Sequence, residues 1–321
     1  MIKLKDVAKA AGVSPATASN ALNGRNNVSK ETVAIIQKLC EEMNYSPNIT
    51  GKYLKTGINN TILFSFSDFD RDYYLKIING ISDFVQSHDY DLMICTSRSC
   101  EKFMSGNFTR GCILLDRHMK SEILIKKASA DYPIIALDRI VDNPYIKSVV
   151  IDNYNSMYEM INKIASNGRK TFAFLGGIES TEDNNERYQA FLDALANNHV
   201  EFERKNYISG DYLESSGKRA AQILMLSNRL PEVLVCANDN MAIGAIKVFK
   251  KNAIRIPEDI EVTGFDNCNM ASQMGLTTAA VPNYERGYLA AQYLIENITG
   301  NKSTDVFSIA SKVIWRTSTK I

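Results

Sequence analysis

From Thr61 to Asp266 the chain alternates short apolar runs with amphipathic helical segments, and this alternation restricts its fold more than any other feature. The runs are "TILFSF", "DLMICT", "GCILLD", "PIIALD", "SVVID", "TFAFLG", "VLVCAN" and "IEVTGFD", β-rich and continuously apolar rather than alternating. A strand that is apolar on both faces has to be covered on both, which is the condition of a parallel sheet inside α/β layers. Segments such as "YLKIINGISDFVQ", "YEMINKIAS", "RYQAFLDALANN" and "MAIGAIKVFKKN" carry apolar residues at helical spacing and supply the covering helices. About ten strands are too many for one sheet with its helices in this length, so two doubly wound parallel-sheet subdomains are expected. The chain is expected to cross between them near Asp152, Val281 and Ala310, giving one subdomain of about 59–151 and 282–309 and a second of about 152–281 and 310–321.

The first 46 residues follow a different rule. Leu4, Val7, Ala8 and Ala11 recur at helical spacing until Gly12, which suits a left-handed stop. Ser14 can cap a second helix and Pro15 fits its first position. Ala18, Ala21 and Leu22 then form a narrow apolar stripe that Asn23-Gly24 ends. Ser29 can cap a third helix to about Asn44, with Val33, Ile36, Cys40 and Met43 inward. Three short helices on one small core, with a tight turn between the first two, form the unit that lays its second helix into the DNA major groove. The outward face of that helix carries Thr17, Ser19, Asn20 and Asn23, short polar groups suited to phosphates and base edges.

Charge supports the division. The whole chain has a formal net charge of +1, but residues 1–57 hold eight Lys/Arg against four Asp/Glu, so the head is basic by +4 and the remainder acidic by −3. The six cysteines are scattered without a C-x-x-C, and the three histidines form no ligand spacing. Buried free thiols, no disulfide framework and no metal are therefore expected. "MIKLKDVAKAAG" lacks the apolar region of a secretory signal, and no stretch nears the about 18 apolar residues of a membrane span, so a cytoplasmic protein without a membrane partner is expected.

In open α/β sheets ligands sit beyond the carboxyl ends of the strands. Asp68, Asp138, Asp211-Tyr212, Asn238-Asp239 and Asp266 all follow apolar runs or turns of the body. Each alone has the usual fate of a helix cap, but together they line a cleft with acceptors and an aromatic platform, the means of holding a molecule with many hydroxyls. The chain has no G-x-G-x-x-G after its first strand, no G-x-S-x-G elbow and no Walker loop, and "LGG" at 175–177 is too short for a phosphate cradle. No catalytic residue, cofactor or enzymatic activity is expected.

"DVAKAAGVSPATASNALNG" followed by "VSKETVAIIQKLCEEMNYSPN" resembles the head of the lactose/galactose repressor family of bacterial transcriptional regulators, and the similarity runs along the whole chain. The resemblance implies a helix-turn-helix DNA-binding domain over 1–46, a hinge over 47–58 and a periplasmic-binding-protein-like effector and dimerisation core over 59–321. By position it makes Pro15, Ala16 and Asn20 base-facing, with Asn27 at the edge of that surface. Pro15 and Ala16 offer only apolar contact, which leaves Asn20, able to pair bidentately with adenine, more of the direct reading. In "YSPNITGKYLKTG" the resemblance implies a hinge helix that forms on DNA, with Leu54 wedged into the minor groove and Lys52 and Lys55 on phosphates.

In the core the resemblance implies that Asp138, Arg187, Asn238 and Asp266 grip the effector, that Tyr212 stacks on it and that Tyr284 lies near the same cleft. Phe69, Tyr73 and Tyr74 stand where the family usually has "NPFF", and the stretch from Ser97 to Thr109 is short where members often have a longer helix. The expected protein is a homodimeric repressor of double-stranded operator DNA controlled by a small molecule, with a sugar first and a corepressor purine or phosphorylated protein partner second. No heptad pattern follows "VIWRTSTK", so no tetramerising helix is expected.

Overall fold

The stops and caps of the first 46 residues appear as three helices, α1 (Leu4–Ala10), α2 (Pro15–Leu22) and α3 (Lys30–Glu42). The Ser14 hydroxyl accepts from the Thr17 N–H at 3.1 Å and the Ser29 hydroxyl from the Thr32 N–H at 3.2 Å, so each cap satisfies one orphan donor of its helix. Gly12 takes φ +65°, a turn conformation that costs a side-chain-bearing residue about 1 kcal/mol or more. Asp6 adds a contact that the apolar spacing does not reveal: its carboxylate accepts the Lys3 N–H at 2.8 Å. Val7, Ala8, Ala18, Ala21, Ile36 and Cys40 close the core of this unit. The computed structural model describes residues 2–25, 27–46, 59–69, 73–106, 108–227, 230–300 and 306–321, and it falls into two units, Met1–Asn59 and Asn60–Ile321.

The second unit holds two six-stranded sheets. The first is built from β1 (Thr61–Phe66), β2 (Asp91–Thr96), β3 (Gly111–Leu115), β4 (Ile134–Ala136), β5 (Ile146–Ile151) and β11 (Phe307–Ile309), in the order β11-β5-β4-β3-β1-β2. The second uses β6 (Phe172–Leu175), β7 (Tyr207–Ile208), β8 (Val233–Cys236), β9 (Glu261–Asp266), β10 (Thr277–Ala280) and β12 (Lys312–Ile314), in the order β12-β10-β9-β8-β6-β7. Every pairing is parallel except β10 with β12. Central strands are buried along their whole length, as in β1 and β3, because helices cover both faces.

Helices in this unit are α4 (Tyr73–Ser87), α5 (Ser97–Ser105), α6 (Ser121–Lys127), α7 (Asn153–Ser166), α8 (Glu182–Asn197), α9 (Glu214–Met225), α10 (Asp239–Lys251), α11 (Asn269–Gln273) and α12 (Asn283–Thr299). The chain leaves the first sheet after β5, returns after β10 with α12, and passes back through β11 to β12. Helices α12 and α4 meet backbone to backbone: a Cβ on Gly80 would collide with the Tyr284 carbonyl, and one on Gly287 with the Ile77 carbonyl. That contact fixes the start of α12, which faces the cleft described below. The segment 97–109, short by comparison with the family pattern, still forms the nine-residue helix α5.

All six cysteines are free and buried. No helix among the described residues is long and apolar enough to cross a membrane.

Candidate functional site

On the head, α2 buries Ala18 and Ala21 and leaves the opposite side open. Pro15, Ala16 and Asn23 are exposed, and Asn27 is exposed beyond the helix end. Thr17, Ser19 and Asn20 are half-buried. These groups are not equally available. The Thr17 hydroxyl lies 2.9 Å from that of Ser14 within the cap, and Asn23 Nδ2 donates to the Ser19 carbonyl at 2.7 Å. Asn20 has no side-chain partner among the described residues, so its amide keeps both its donor and its acceptor for a base edge. Lys52, Leu54 and Lys55, expected in the hinge, lie outside the described residues.

In the second unit a cavity of about 690 Å³ is lined from both sheets. It brings together Asp138, Arg187, Tyr212, Asn238 and Asp266, five of the six cleft positions expected from the sequence. Arg187 projects from α8 and is only 4% exposed. Its Nε and Nη2 donate to Asn153 Oδ1 at 3.0 and 2.8 Å, its Nη1 donates to the Ala237 carbonyl at 2.6 Å, and its guanidinium lies 3.8 Å from the centre of the Phe265 ring. Burial works against its charge, but Asp183 and then Asp266 more than offset that and raise its pKa. The fork is thus locked in place with donors remaining for a ligand, the arrangement in which little ordering entropy is left to lose on binding.

Tyr212 follows β7 in a left-handed conformation, φ +68°, and is 3% exposed. Its ring fills the space a side chain on Gly177 would occupy, and its hydroxyl donates to Asp183 Oδ2 at 2.8 Å. Burial pushes the phenol well above its ordinary pKa. Burial also opposes the Asp183 charge, yet Arg187 and hydrogen bonds from Thr181 and Tyr212 hold that carboxyl below its usual range. Asn238 does the work of a cap: its Oδ1 accepts from the Met241 N–H at 3.1 Å at the start of α10, while Nδ2 donates to the Tyr212 carbonyl at 3.0 Å. It therefore positions the aromatic as well as lining the cavity. Asp138 is held bidentately by Arg139, at 3.0 and 2.7 Å, so its acceptors enter the cleft already ion-paired.

Tyr284 is not part of this wall. It is 38% exposed and its hydroxyl donates to Asp83 on α4 at 2.8 Å. The reason is helical phase. Asn283, Arg286, Gly287 and Ala290 occupy the inward face of α12, which turns position 284 outward. Asn283 and Arg286 line the cavity instead. Tyr73 and Tyr74 reach it too, whereas Phe69 is mostly exposed and packs edge-on against Phe66. Asp211 stays out of the lining and makes a turn, accepting the Leu213 N–H at 3.0 Å. Sequence reading also missed Asn153 and Glu186, linked at 2.9 Å. An apolar stripe of Gly287, Ala290, Ala291 and Leu294 extended one turn back would have indicated Asn283 and Arg286.

A helix-turn-helix unit followed by a two-sheet α/β core with a polar cleft is the construction of a DNA-binding regulator with a binding-protein body. Residues 3–48 match the bacterial regulatory proteins of the lacI family, and residues 59–317 match the periplasmic binding proteins and sugar binding domain of that family. The chain belongs to the lacI family of bacterial transcriptional regulators. It is 28% identical over 306 residues to the HTH-type transcriptional repressor CytR of Escherichia coli (strain K12), covering 92% of this chain and 90% of that one. The Lac repressor bound to ONPG in its repressed state superimposes with a TM-score of 0.85 at 21% identity, covering 99% of each chain. A sugar-binding transcriptional regulator of the family from Enterococcus faecalis gives 0.74 at 25% identity, over 82% of this chain and 99% of that one.

Proposed function

We propose that the protein is a homodimeric repressor whose core binds a hydroxyl-rich small molecule, a sugar or sugar derivative, and that this ligand controls operator binding by the heads. The observation that carries the reading is the cleft itself. Its Arg187, Tyr212 and Asn238 side chains are held by Asn153, Asp183 and the Tyr212 carbonyl, and with Asp266 they line one cavity, as a site for many hydroxyls requires. A family relative described as sugar-binding supports the ligand class. On the head, Asn20 reads the base edge, Pro15 and Ala16 add apolar contact, and Thr17, Ser19, Asn23 and Asn27 approach phosphates. Lys52, Leu54 and Lys55 of the hinge complete the contact in the minor groove.

A ligand that binds one arrangement of the core better than another shifts the dimer between DNA-competent and released states. The reading assigns no catalytic step to any residue. Selecting bound duplexes from a random pool, then titrating the selected operator with and without sugars, tests it. A near-palindromic site whose affinity changes at least severalfold with one sugar class is expected. Binding without sequence preference, or with no response to any sugar, would overturn the reading.

A further inference from the structure

Arg286, like Arg187, is a buried cation of the cleft whose hydrogen-bond acceptors are all neutral. It is 4% exposed, and its guanidinium donates from Nη2 to the Leu137 carbonyl and from Nε to the Val149 carbonyl at 3.4 Å. Both acceptors are neutral, and among the described residues no carboxylate forms an ion pair with it. Other charged groups of the cleft have opposite or polar partners: Asp138 has Arg139, Asp183 has Tyr212, and Glu186 has Asn153. A buried cation with no carboxylate in ion-pair contact is costly, and a group from outside the chain can complete it. Burial, above all, lowers the pKa of Arg286; Tyr73, Asp138 and Asp266 pull the other way without making up for it, and Arg187 adds repulsion. A neutral donor could have bridged the same two carbonyls.

A second group points to the same place. Asn283, one turn earlier on α12, is 2% exposed, lines the cavity and leaves Oδ1 with no hydrogen-bond partner. Its Nδ2 has no hydrogen bond among the described residues either, so the NH2 keeps its donors for a group in the cavity. The end of α12 reinforces both. Pro282 offers no side-chain cap, and the positive end of a 17-residue helix stands beside the two side chains.

We infer that the effector carries a negatively charged group, a carboxylate or a phosphate on its hydroxyl-bearing body, and that Arg286 and Asn283 receive this group at the first-sheet side of the cleft. The inference rests on the proposal that the cleft takes a sugar-like effector, and it narrows that class to an acid.

The test is calorimetric titration of the full chain with matched probes at constant ionic strength: galactose, galacturonate and galactose 6-phosphate, and the glucose counterparts. At least one acid should bind about tenfold or more tightly than its neutral parent, as charge-assisted hydrogen bonds confer. Whether the uronate or the phosphate ester gains identifies the acid group. Arg286→Gln and Asn283→Ala should each pull the acid-to-neutral ratio toward one. Asn283→Ala removes an oxygen that has no partner, so it keeps the test intact if Arg286→Gln does not fold. Equal binding of neutral and acid probes would overturn the inference while leaving the sugar reading standing, as would an acid preference unchanged in both variants. Binding of none of the probes would overturn the sugar reading itself and the acid with it.

Discussion

The recognition face of the head and the wall of the cleft are both polar, yet they are made in opposite ways. On α2 the side chains are short and exposed or half-buried, and their few hydrogen bonds are local, as between Asn23 and Ser19 or Thr17 and Ser14. In the cleft the polar groups are buried and hold one another across long stretches of chain, Arg187 to Asn153 and Ala237, Asn238 to Tyr212. The head leaves its ligand to supply the order, so much of its affinity comes from charge and responds to salt. The cleft is ordered beforehand, so its affinity resides in individual buried partners and each of them is expensive to remove.

The largest expected effect separates the two regions outright. A chain of residues 60–321 should bind effector as the full chain does and lose operator affinity by about a thousandfold or more, because the proposed phosphate contacts belong to residues 1–58. Raising salt from roughly 50 to 200 mM should weaken operator binding by the full chain by a comparable factor and leave effector binding nearly unchanged. Gel-shift and calorimetric titrations measure both. Salt-insensitive operator binding would break the comparison.

Single substitutions sharpen it. Arg187→Ala should weaken effector binding by about 1–3 kcal/mol, since it strands the Asn153 and Ala237 acceptors and leaves Asp183 without its cation. Asn20→Ala should cost a comparable or smaller amount, about 1–3 kcal/mol on the selected operator and much less on random DNA, because it removes a base contact and no phosphate contact. A loss equal on both duplexes would place Asn20 among the positioning groups instead.

Local signals were legible in the sequence and remote ones were not. Gly12, Ser14, Pro15 and Ser29 act within a turn of chain, and their caps and stops lie where the residues indicate. The continuous runs announced the parallel strands, but β10 escaped notice because "TTAA" is small and half polar. Its Thr277 pairs with Arg316, Ser318 and Thr319 from the far end of the chain, and its Thr278 hydroxyl donates to Asp239 Oδ1 at 2.6 Å. Asn153 was hidden for the same reason, whereas Asn283 and Arg286 share the inward face of α12 with a legible apolar stripe, which shows their phase but not the cavity they line. The tyrosine of "PNYERG" was expected near the cleft, whereas the phase of α12 turns it outward and puts the arginine in the cavity lining.

Acid–base behaviour offers a further test of how dry the core around Asp239 is. Burial, and then the Asp266 charge, raise the pKa of Asp239 from 3.8 to about 7. A folded-state pKa above the unfolded one means that the native state holds the proton more tightly. Its stabilising contribution is therefore complete below about pH 3.8 and lost as pH rises through about 7. The depressed carboxyls, Asp183 and Asp211 among them, lose stability only at more acid pH, so the interval from roughly pH 5 to 8 isolates Asp239. The unfolding free energy from urea titrations should fall across that interval, by no more than about 1.4 kcal/mol per pH unit, and then level off. A flat profile would mean that water reaches this carboxyl.

The smallest effect is expected one position from the cleft. Tyr284→Phe removes a hydroxyl whose partner, Asp83, lies on an exposed helix face, and it keeps the ring. An exposed hydrogen bond of this kind contributes well under about 1 kcal/mol, because water replaces the lost partner. Effector affinity should be unchanged and the unfolding midpoint nearly so, although Asn283 and Arg286 flank the same residue on the inward face of α12. Calorimetry on this variant beside Asn283→Ala compares the two sides of one helix turn. A loss of effector affinity in Tyr284→Phe equal to that in Asn283→Ala would mean that the exposed side of α12 couples to the ligand, and that the boundary drawn here between an ordered interior and an indifferent surface is misplaced.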